Sequence, residues 1–256
     1  MKYSNFFKEI VNETIIFEGG IVNNKDDIGK LTYKGISRVY NTKWEGWKII
    51  DKVIVGKNLQ NKDVRKEVNI ILGKNEELLQ MIIALYYSNF WKKNCDKLVN
   101  FNLSSALFDF GVNAGVGRAA KILQEIVGTK SDGAIGPNSL KCINAYIMEK
   151  GEMDLILEFT FERIKFYLER VILKPKQITF IYGWCLRVIN LFNKFYDLDN
   201  MDENYLELSD KYNSVLITNK LRQLKVLSAL LNKCKVNYKE KNNIIPLLNS
   251  RFLIEK

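Results

Sequence analysis

The sequence predicts a mostly helical protein with one small β-prone segment near its N-terminus. Apolar residues recur at helical spacing along most of the chain, and only three prolines interrupt it. Residues 21–43 are the exception, because short β-prone stretches alternate there with turn-forming residues. We expect this segment to form a small hairpin or an irregular lobe beside the first helix.

The first helix is predicted over residues 5–17, where apolar side chains fall on one face. Gly19 and Gly20 are typical of a helix end, which places Glu18 in the last turn. The negative end of the helix dipole and the apolar Phe17 both favour a protonated carboxyl group at Glu18. A carboxyl group that keeps its proton near neutral pH can act as a general acid.

Asp27 and Thr32 lie in the β-prone segment and supply two further polar groups. Asp27 lies in a polar stretch and is expected to stay ionised, and the Thr32 hydroxyl can hold a water molecule. Two carboxyl groups in different environments and a water-positioning hydroxyl are the minimal set for hydrolysis of a glycosidic bond. The spacing alone leaves an alternative open, in which Glu18 is a solvated helix-end residue and Asp27 begins a turn.

Several sequence motifs follow one another along roughly residues 5–195. The first joins Glu18-Gly19-Gly20 to Asp27-x-Gly29-x-x-Thr32 and Gly35-Ile36-Ser37. The later ones are Tyr86-Tyr87-x-x-Phe90-Trp91, Asp96-x-Leu98, Phe108-Asp109-Phe110-Gly111-Val112-Asn113-Ala114-Gly115, Gly117-Arg118-Ala119, Leu123-Gln124, Asp132-Gly133-x-Ile135-Gly136-Pro137 and Gly183-Trp184-x-x-Arg187-Val188. In this order they resemble the glycoside hydrolase 108 family of N-acetylmuramidases, lysozyme-like enzymes that carry a predicted peptidoglycan domain.

The resemblance implies a lysozyme-like helical fold and cleavage of the β-1,4 bond between N-acetylmuramic acid and N-acetylglucosamine. Glu18 would protonate the leaving glycosidic oxygen. Asp27 would stabilise positive charge at the anomeric carbon or, with Thr32, orient the attacking water. The Thr32 hydroxyl favours water attack and inversion, although the sequence gives no distance between the carboxyl groups.

The predicted substrate contacts are Tyr87, Trp91, Asp109 and Asn113. The two aromatic residues lie in a predicted helix over 76–93, and such rings stack well on sugar faces, although an aromatic stripe at helical spacing is also typical of a core. The other two lie in a predicted buried central helix over 103–128, on one face because they are four residues apart. They could instead anchor a loop through structural hydrogen bonds.

Three positions depart from the family pattern. Lys30 stands where the family usually has a second glycine, Ser37 where it has threonine, and Phe90 where it often has tyrosine. Lys30 demands more of the backbone if that position requires a positive φ. The shape of this loop is therefore open, whereas the carboxyl groups are unaffected.

The resemblance divides the chain into regions. It implies a lysozyme-like catalytic region over 1–94 and a helical peptidoglycan-domain region over 95–196 that completes the cleft. An acidic break follows the second region, and apolar residues then continue at helical spacing. We therefore expect an extra C-terminal helical segment over 197–256, with no role readable from the sequence.

The residue inventory excludes several classes of hydrolase. The chain has no histidine, which removes Ser-His-Asp and Cys-His catalysis and the histidine-based zinc sites. The four cysteines are widely separated, without a Cys-x-x-Cys pair, and are expected to be buried free thiols in a protein made in a reducing cytosol. We therefore expect carboxylate chemistry without a metal or cofactor.

The formal net charge of +10 favours an anionic partner. Basic residues are dispersed along the chain, which fits bacterial peptidoglycan better than specific recognition of nucleic acid. The N-terminus lacks the apolar core of a signal peptide, and no apolar stretch is long enough for a transmembrane helix. With the resemblance, this predicts a phage or prophage endolysin, made in the cytoplasm, that reaches the wall through a separate pore or by lysis.

Other functions remain compatible with the sequence. A lytic transglycosylase needs the acid but no activated water, and it leaves 1,6-anhydro ends instead of reducing ends. A wall-binding or secretion-assisting protein that kept the fold would bind peptidoglycan without releasing fragments. A basic helical nucleic-acid binder would shift DNA in a strongly salt-dependent way. The oligomeric state cannot be read from the sequence.

Overall fold

The computed structural model describes residues 3–23 and 30–195, so Asp27 and the predicted segment 197–256 lie outside the described residues. The chain forms two compact units, Met1–Lys97 and Leu98–Lys256. The described residues are mostly helical, with a small antiparallel sheet in the first unit, which confirms the predicted fold class. The functional regions predicted at 1–94 and 95–196 stay predictions.

The first unit consists of short helices and the small sheet. Its elements are α1 (Asn5–Phe17), β1 (Val22–Asn23), β2 (Leu31–Tyr33), β3 (Ile36–Ser37), α2 (Gly46–Ile54), α3 (Lys62–Gly73), α4 (Glu76–Tyr86) and α5 (Lys92–Asn94). Capping side chains fix three helix starts, because Ser4, Asn61 and Asn75 accept hydrogen bonds from backbone N–H groups in the first turns of α1, α3 and α4. The helix predicted over residues 5–17 is confirmed.

The three strands pair in the order β1-β2-β3. Thr32 on β2 stands opposite Val22 on one side and Ser37 on the other. Directly opposite residues project to the same face of a sheet, so these three side chains share one face. Tyr33 and Ile36 are also paired, and both are buried on the other face. The sheet thus turns one face to the core and keeps Thr32 on the other, half-exposed face.

A two-residue turn joins β2 to β3. Lys34 and Gly35 have φ of 47° and 72°, as a type I′ hairpin turn requires at both central positions. Lys30, directly before β2, also has a φ of 47°. The departure at Lys30 is therefore a real strain on the backbone, since the left-handed conformation costs a non-glycine residue roughly 1–2 kcal/mol.

The helix predicted over 76–93 is wrong as a single α-helix. It is interrupted by a π-helical turn, Tyr87–Trp91, between α4 and α5. A π-helical turn inserts one extra residue per turn, so it rotates the residues that follow relative to the preceding α-helical face. Trp91 is buried at the end of this turn.

The second unit is helical throughout its described part. Its elements are α6 (Phe101–Ala114), α7 (Val116–Ile126), α8 (Pro137–Lys150), α9 (Glu152–Leu173), a 3-10 turn (Pro175–Gln177) and α10 (Ile178–Phe195). Every residue from Leu103 to Gly111 is buried, which is the mark of a helix covered on all sides. The prediction of a buried central helix is therefore confirmed for α6.

The central helix ends earlier than the prediction over 103–128. Gly115 separates α6 from α7 with a φ of 101°, a conformation that only glycine adopts without strain. Its N–H donates to the Gly111 carbonyl and closes α6, and its own carbonyl accepts from Ala119 in the first turn of α7. One glycine therefore ends one helix and begins the next.

The described cysteines are free thiols, with Cys95 and Cys185 buried and Cys142 partly exposed. Cys234 lies outside the described residues. Burial raises the pKa of the Cys95 thiol well above its usual range. No helix in residues 3–23 or 30–195 is long and apolar enough to cross a membrane.

We expect Cys142 to be alkylated much faster than Cys95 in the folded protein at pH 8. The thiolate is the reacting form of a cysteine. Because the pKa of Cys95 is raised, little of its thiol is ionised at this pH, and burial also shields the sulfur from the reagent. Iodoacetamide labelling followed by peptide mapping measures both sites, with the protein unfolded in urea as the control in which the two react alike. Equal labelling of the folded protein would contradict the buried position of Cys95.

Candidate active site

Glu18 lies at the C-terminus of α1, as predicted. Its backbone N–H donates to the Thr14 carbonyl at 3.3 Å, and Gly19 follows with a φ of 77° and an N–H that donates to the Ile16 carbonyl at 3.4 Å. This is the geometry of a helix that ends at a left-handed glycine. The Glu18 side chain is half-buried. A carboxyl group is thus held at the negative end of a helix, next to a chain reversal.

Asn69 on α3 fixes the chain that follows Glu18. Its Oδ1 accepts a hydrogen bond from the N–H of the buried Ile21 at 2.7 Å. A Cβ placed on Gly20 would overlap the Asn69 amide, so this close approach requires glycine. The sequence pattern predicted no role for Asn69. The available signal was a single polar residue in the apolar run Val68–Leu72.

The β2–β3 turn packs directly against the Glu18 carboxyl group. A Cβ placed on Gly35 would lie 2.7 Å from Glu18 Oε2 and 2.8 Å from the Tyr86 hydroxyl oxygen. That hydroxyl donates to the Lys34 carbonyl at 2.8 Å, so the end of α4 is tied to the same turn. The structure therefore brings Glu18, Gly35 and Tyr86 together. Gly35 and Tyr86 belong to the sequence motifs, but the sequence did not show that they meet at Glu18.

Thr32 lies on β2, in the hairpin whose turn packs on Glu18. Its hydroxyl-bearing side chain is half-exposed on the face shared with Ser37. Asp27, the second predicted carboxylate, lies outside the described residues. The described part of the site thus consists of one half-buried carboxyl group at a helix end and a hydroxyl face on the adjoining hairpin. A carboxyl group in this setting can deliver a proton to a bound oxygen.

Polar contacts hold the chain after β3 on α2. Arg38 makes a two-pronged ion pair with Asp51, at 2.6 and 2.8 Å, and its guanidinium lies 5.3 Å from the Trp47 ring centroid. The Trp47 indole N–H donates to the Asn41 carbonyl at 2.7 Å. Bidentate pairs of this kind are geometrically specific. They fix the exit of the hairpin and so support the position of its turn.

The predicted aromatic contacts Tyr87 and Trp91 both pack on α1. The Trp91 ring lies 5.1 Å from the Phe7 ring, and the indole is 3% exposed, which favours the core alternative for this residue. Tyr87 is partly exposed, and its hydroxyl donates to Asp96 at 3.0 Å. Substrate contact stays a prediction for both, and Tyr87 has the more accessible ring.

The other predicted contacts, Asp109 and Asn113, face α9 in the second unit. Asp109 is buried and accepts from Arg163 and from Arg187, each at 2.7 Å. Asn113 accepts from the Tyr167 hydroxyl at 2.6 Å, and Arg163 donates to the same hydroxyl oxygen at 2.8 Å. The prediction that both share one helix face is consistent with these partners. Their contacts favour the alternative in which both residues make structural hydrogen bonds, and substrate contact stays a prediction.

We expect Gly35→Ala to reduce activity roughly 100-fold, the loss that about 1 Å of misplacement can cause. The new Cβ would displace the Glu18 carboxyl group or the Tyr86 hydroxyl. Gly56→Ala is the matched control, because Gly56 has a φ of 71° and nothing within 4 Å of an added Cβ. Both variants should lose about 1–2 kcal/mol of stability from the left-handed backbone. Urea unfolding and turbidity clearing of peptidoglycan measure the two effects, and equal activity of the two variants would contradict the contact.

The chain matches two family models, which confirms the resemblance inferred from its motifs. Residues 11–115 match the glycosyl hydrolase 108 model, a stretch that includes Glu18, Thr32, Gly35 and Tyr86. Residues 118–189 match the model described as a predicted peptidoglycan domain. No curated protein gives a significant match to the chain.

A solved structure is similar to this chain in its fold. The chain is similar to the structure of Brucella abortus SagA, with 25% sequence identity and a TM-score of 0.50. The similarity covers 73% of this chain and 92% of that chain. It therefore extends over nearly the whole of the Brucella protein.

Proposed function

We propose that this chain is a peptidoglycan hydrolase that cleaves the β-1,4 bond between N-acetylmuramic acid and N-acetylglucosamine, with Glu18 as the general acid. The match of residues 11–115 to the glycosyl hydrolase 108 model and of residues 118–189 to the predicted peptidoglycan domain supports this choice of reaction and polymer. The observation that carries the proposal is the half-buried Glu18 carboxyl group, which packs on the Gly35 turn at the end of α1. Delivery of a proton by a positioned carboxyl group is the usual role of a general acid.

The proposed reaction begins with proton transfer from Glu18 to the glycosidic oxygen. As the bond to that oxygen breaks, positive charge develops at the anomeric carbon, and a second carboxylate is needed nearby. We assign that role to Asp27. The Thr32 hydroxyl, on the half-exposed face of the hairpin, orients the attacking water together with Asp27. The water proton passes to Asp27, and the sugar leaves with a new reducing end.

The stereochemical course tests the role of Thr32. Attack by water in one step inverts the configuration at the anomeric carbon, whereas reaction through a covalent intermediate retains that configuration. We expect the first product of a β-1,4-linked soluble glycan to be the α-anomer, observed by proton NMR before mutarotation. The β-anomer as first product would overturn water activation by Asp27 and Thr32, and would leave Glu18 as the acid of a retaining enzyme.

The ends of the released fragments test the reaction class. A hydrolase produces reducing N-acetylmuramic acid ends, whereas a lytic transglycosylase produces 1,6-anhydro ends without consuming water. We expect mass spectrometry of digested peptidoglycan to show reducing N-acetylmuramic acid ends only. Anhydro ends would support the transglycosylase, and reducing N-acetylglucosamine ends would place the cut at the other glycosidic bond. The prediction of a phage or prophage endolysin, released through a separate pore or by lysis, stays a prediction.

A further inference from the structure

The second unit has a groove between α7 and α9 that the proposed catalysis does not use. Its volume is about 520 Å³, which lies within the range of small-ligand sites. Six charged side chains line it: Arg118, Lys121, Glu125, Glu162, Lys165 and Glu169. All six belong to the stretch matched as a predicted peptidoglycan domain, which begins at Arg118, and they line the groove together with Phe166.

The charges of this groove balance. Three of its side chains are cationic and three are anionic, so the groove as a whole offers no net charge to a ligand. A polyanion such as a wall phosphate polymer or a nucleic acid would meet as much repulsion as attraction there. Such a lining instead complements a ligand that carries charges of both signs.

Two of the charged groups have no intramolecular partner in the described part of the chain. Lys165 pairs with Glu162 at 3.1 Å, and Glu125 accepts from the Ser131 hydroxyl at 2.9 Å. The side chains of Lys121 and Glu169 are both exposed and make no hydrogen bond or ion pair within residues 3–23 and 30–195; only the Lys121 backbone carbonyl accepts a side-chain hydrogen bond, from Ser131. One cation and one anion on facing helices are therefore available to a ligand without breaking an existing ion pair.

Phe166 gives the groove an apolar surface of fixed geometry. Its ring lies 5.7 Å from the buried Phe110 and 5.8 Å from Tyr167, and the Arg118 guanidinium lies 4.6 Å from its centroid. Packing on two other rings limits the side-chain entropy that binding would cost. An apolar ring among separated charges is suited to a short peptide, which presents side-chain carbons together with charged groups.

We propose that this groove binds the stem peptide of peptidoglycan, with Lys121 on a peptide carboxylate and Glu169 on the free amino group of its dibasic residue. The inference rests on the proposed function for the choice of polymer. It explains the balanced charges, because the stem peptide carries both carboxylates and an amino group while the glycan carries no cation. Binding there would attach the second unit to the wall independently of the glycan.

Calorimetric titration of the full chain with the free tetrapeptide L-Ala-D-Glu-diaminopimelate-D-Ala tests this proposal. We expect saturable binding that weakens at least tenfold in Lys121→Glu and in Glu169→Lys, as lost charge-assisted contacts of about 1.4 kcal/mol or more would give. Lys141→Glu and Glu149→Lys make the same charge changes at exposed positions of α8 and should bind as the wild type does. A tetrapeptide acetylated on the diaminopimelate amino group should lose the contact with Glu169.

The outcomes separate this proposal from the proposed function. Absence of tetrapeptide binding, or equal affinity of the groove variants and the control variants, overturns the proposed peptide binding in the groove. Hydrolysis of peptidoglycan by the wild type is not affected by that outcome. Tighter binding of the acetylated peptide overturns the role of Glu169. Absence of hydrolysis by the wild type overturns the proposed function. It leaves the binding result unaffected, because calorimetry measures tetrapeptide binding without any cleavage. Circular dichroism of each variant confirms that the comparison is made on folded protein.

Discussion

Glu18→Gln is expected to reduce peptidoglycan hydrolysis by roughly 10²- to 10⁴-fold, the usual contribution of a general acid. Glutamine has nearly the same shape as glutamate but no proton acidic enough to transfer to a glycosidic oxygen. The half-exposed position at the end of α1 should accept it with a change in stability of about 0.5 kcal/mol or less. Clearing of purified peptidoglycan, followed as turbidity, measures the loss.

Glu9→Gln is the matched control for this variant, because Glu9 is exposed on the same helix. It should clear peptidoglycan at the wild-type rate. Retained activity in Glu18→Gln would refute the assignment of the acid. An equal loss in both variants would point to a general electrostatic effect of the charge change on attraction to the wall, which salt would screen.

Asp109→Asn is expected to destabilise the second unit by about 3–5 kcal/mol, the usual cost of breaking a buried ion pair from one side. The carboxylate of Asp109 is the acceptor for both Arg163 and Arg187 in this buried site. An asparagine keeps one acceptor oxygen and removes the negative charge. Two buried guanidinium groups would then face each other without a counter-charge.

The same network extends beyond Asp109. The Tyr167 hydroxyl joins Arg163 to Asn113, and burial raises the pKa of this phenol. The residue pairs Asp109–Arg163 and Asn113–Tyr167 join α6 to α9 at two points about one helical turn apart. Loss of the charge on Asp109 should therefore loosen the packing of α9 on the central helix.

Hydrogen exchange of peptides from α6 and α9, together with urea unfolding, measures this effect. Asp154→Asn is the control, because Asp154 is exposed in the first turn of α9 and should contribute about 1 kcal/mol or less through the helix dipole. Faster exchange in Asp109→Asn alone would support the structural role. Unchanged exchange and stability with lost activity would instead support the substrate contact predicted from the sequence.

Local patterns were enough to predict much of the first unit. The bounds of α1 follow from apolar spacing, and the position of Glu18 at its end follows from Gly19, because both signals lie within a few residues of the feature they specify. The small hairpin was readable for the same reason, since β-prone residues and turn formers alternate there.

Two helix predictions failed at single local features. Apolar spacing continues across Gly115, so periodicity alone joined α6 to α7. It also continues across the π-helical turn Tyr87–Trp91, so 76–93 was predicted as one helix. Periodicity reports which residues face the core, and it does not report whether the backbone hydrogen bonds are continuous.

The sequence by itself determined the helical class, the resemblance to the glycosyl hydrolase 108 family and the place of Glu18 at a helix end, because these depend on local periodicity and on the order of the motifs. Only the tertiary structure decided what surrounds that carboxyl group, since Gly35 and Tyr86 meet it through long-range packing. It likewise decided the partners of Asp109, because Arg163 and Arg187 lie 54 and 78 residues further along the chain. Contacts at such separations leave no periodic trace in the sequence, because they are fixed by how whole helices pack.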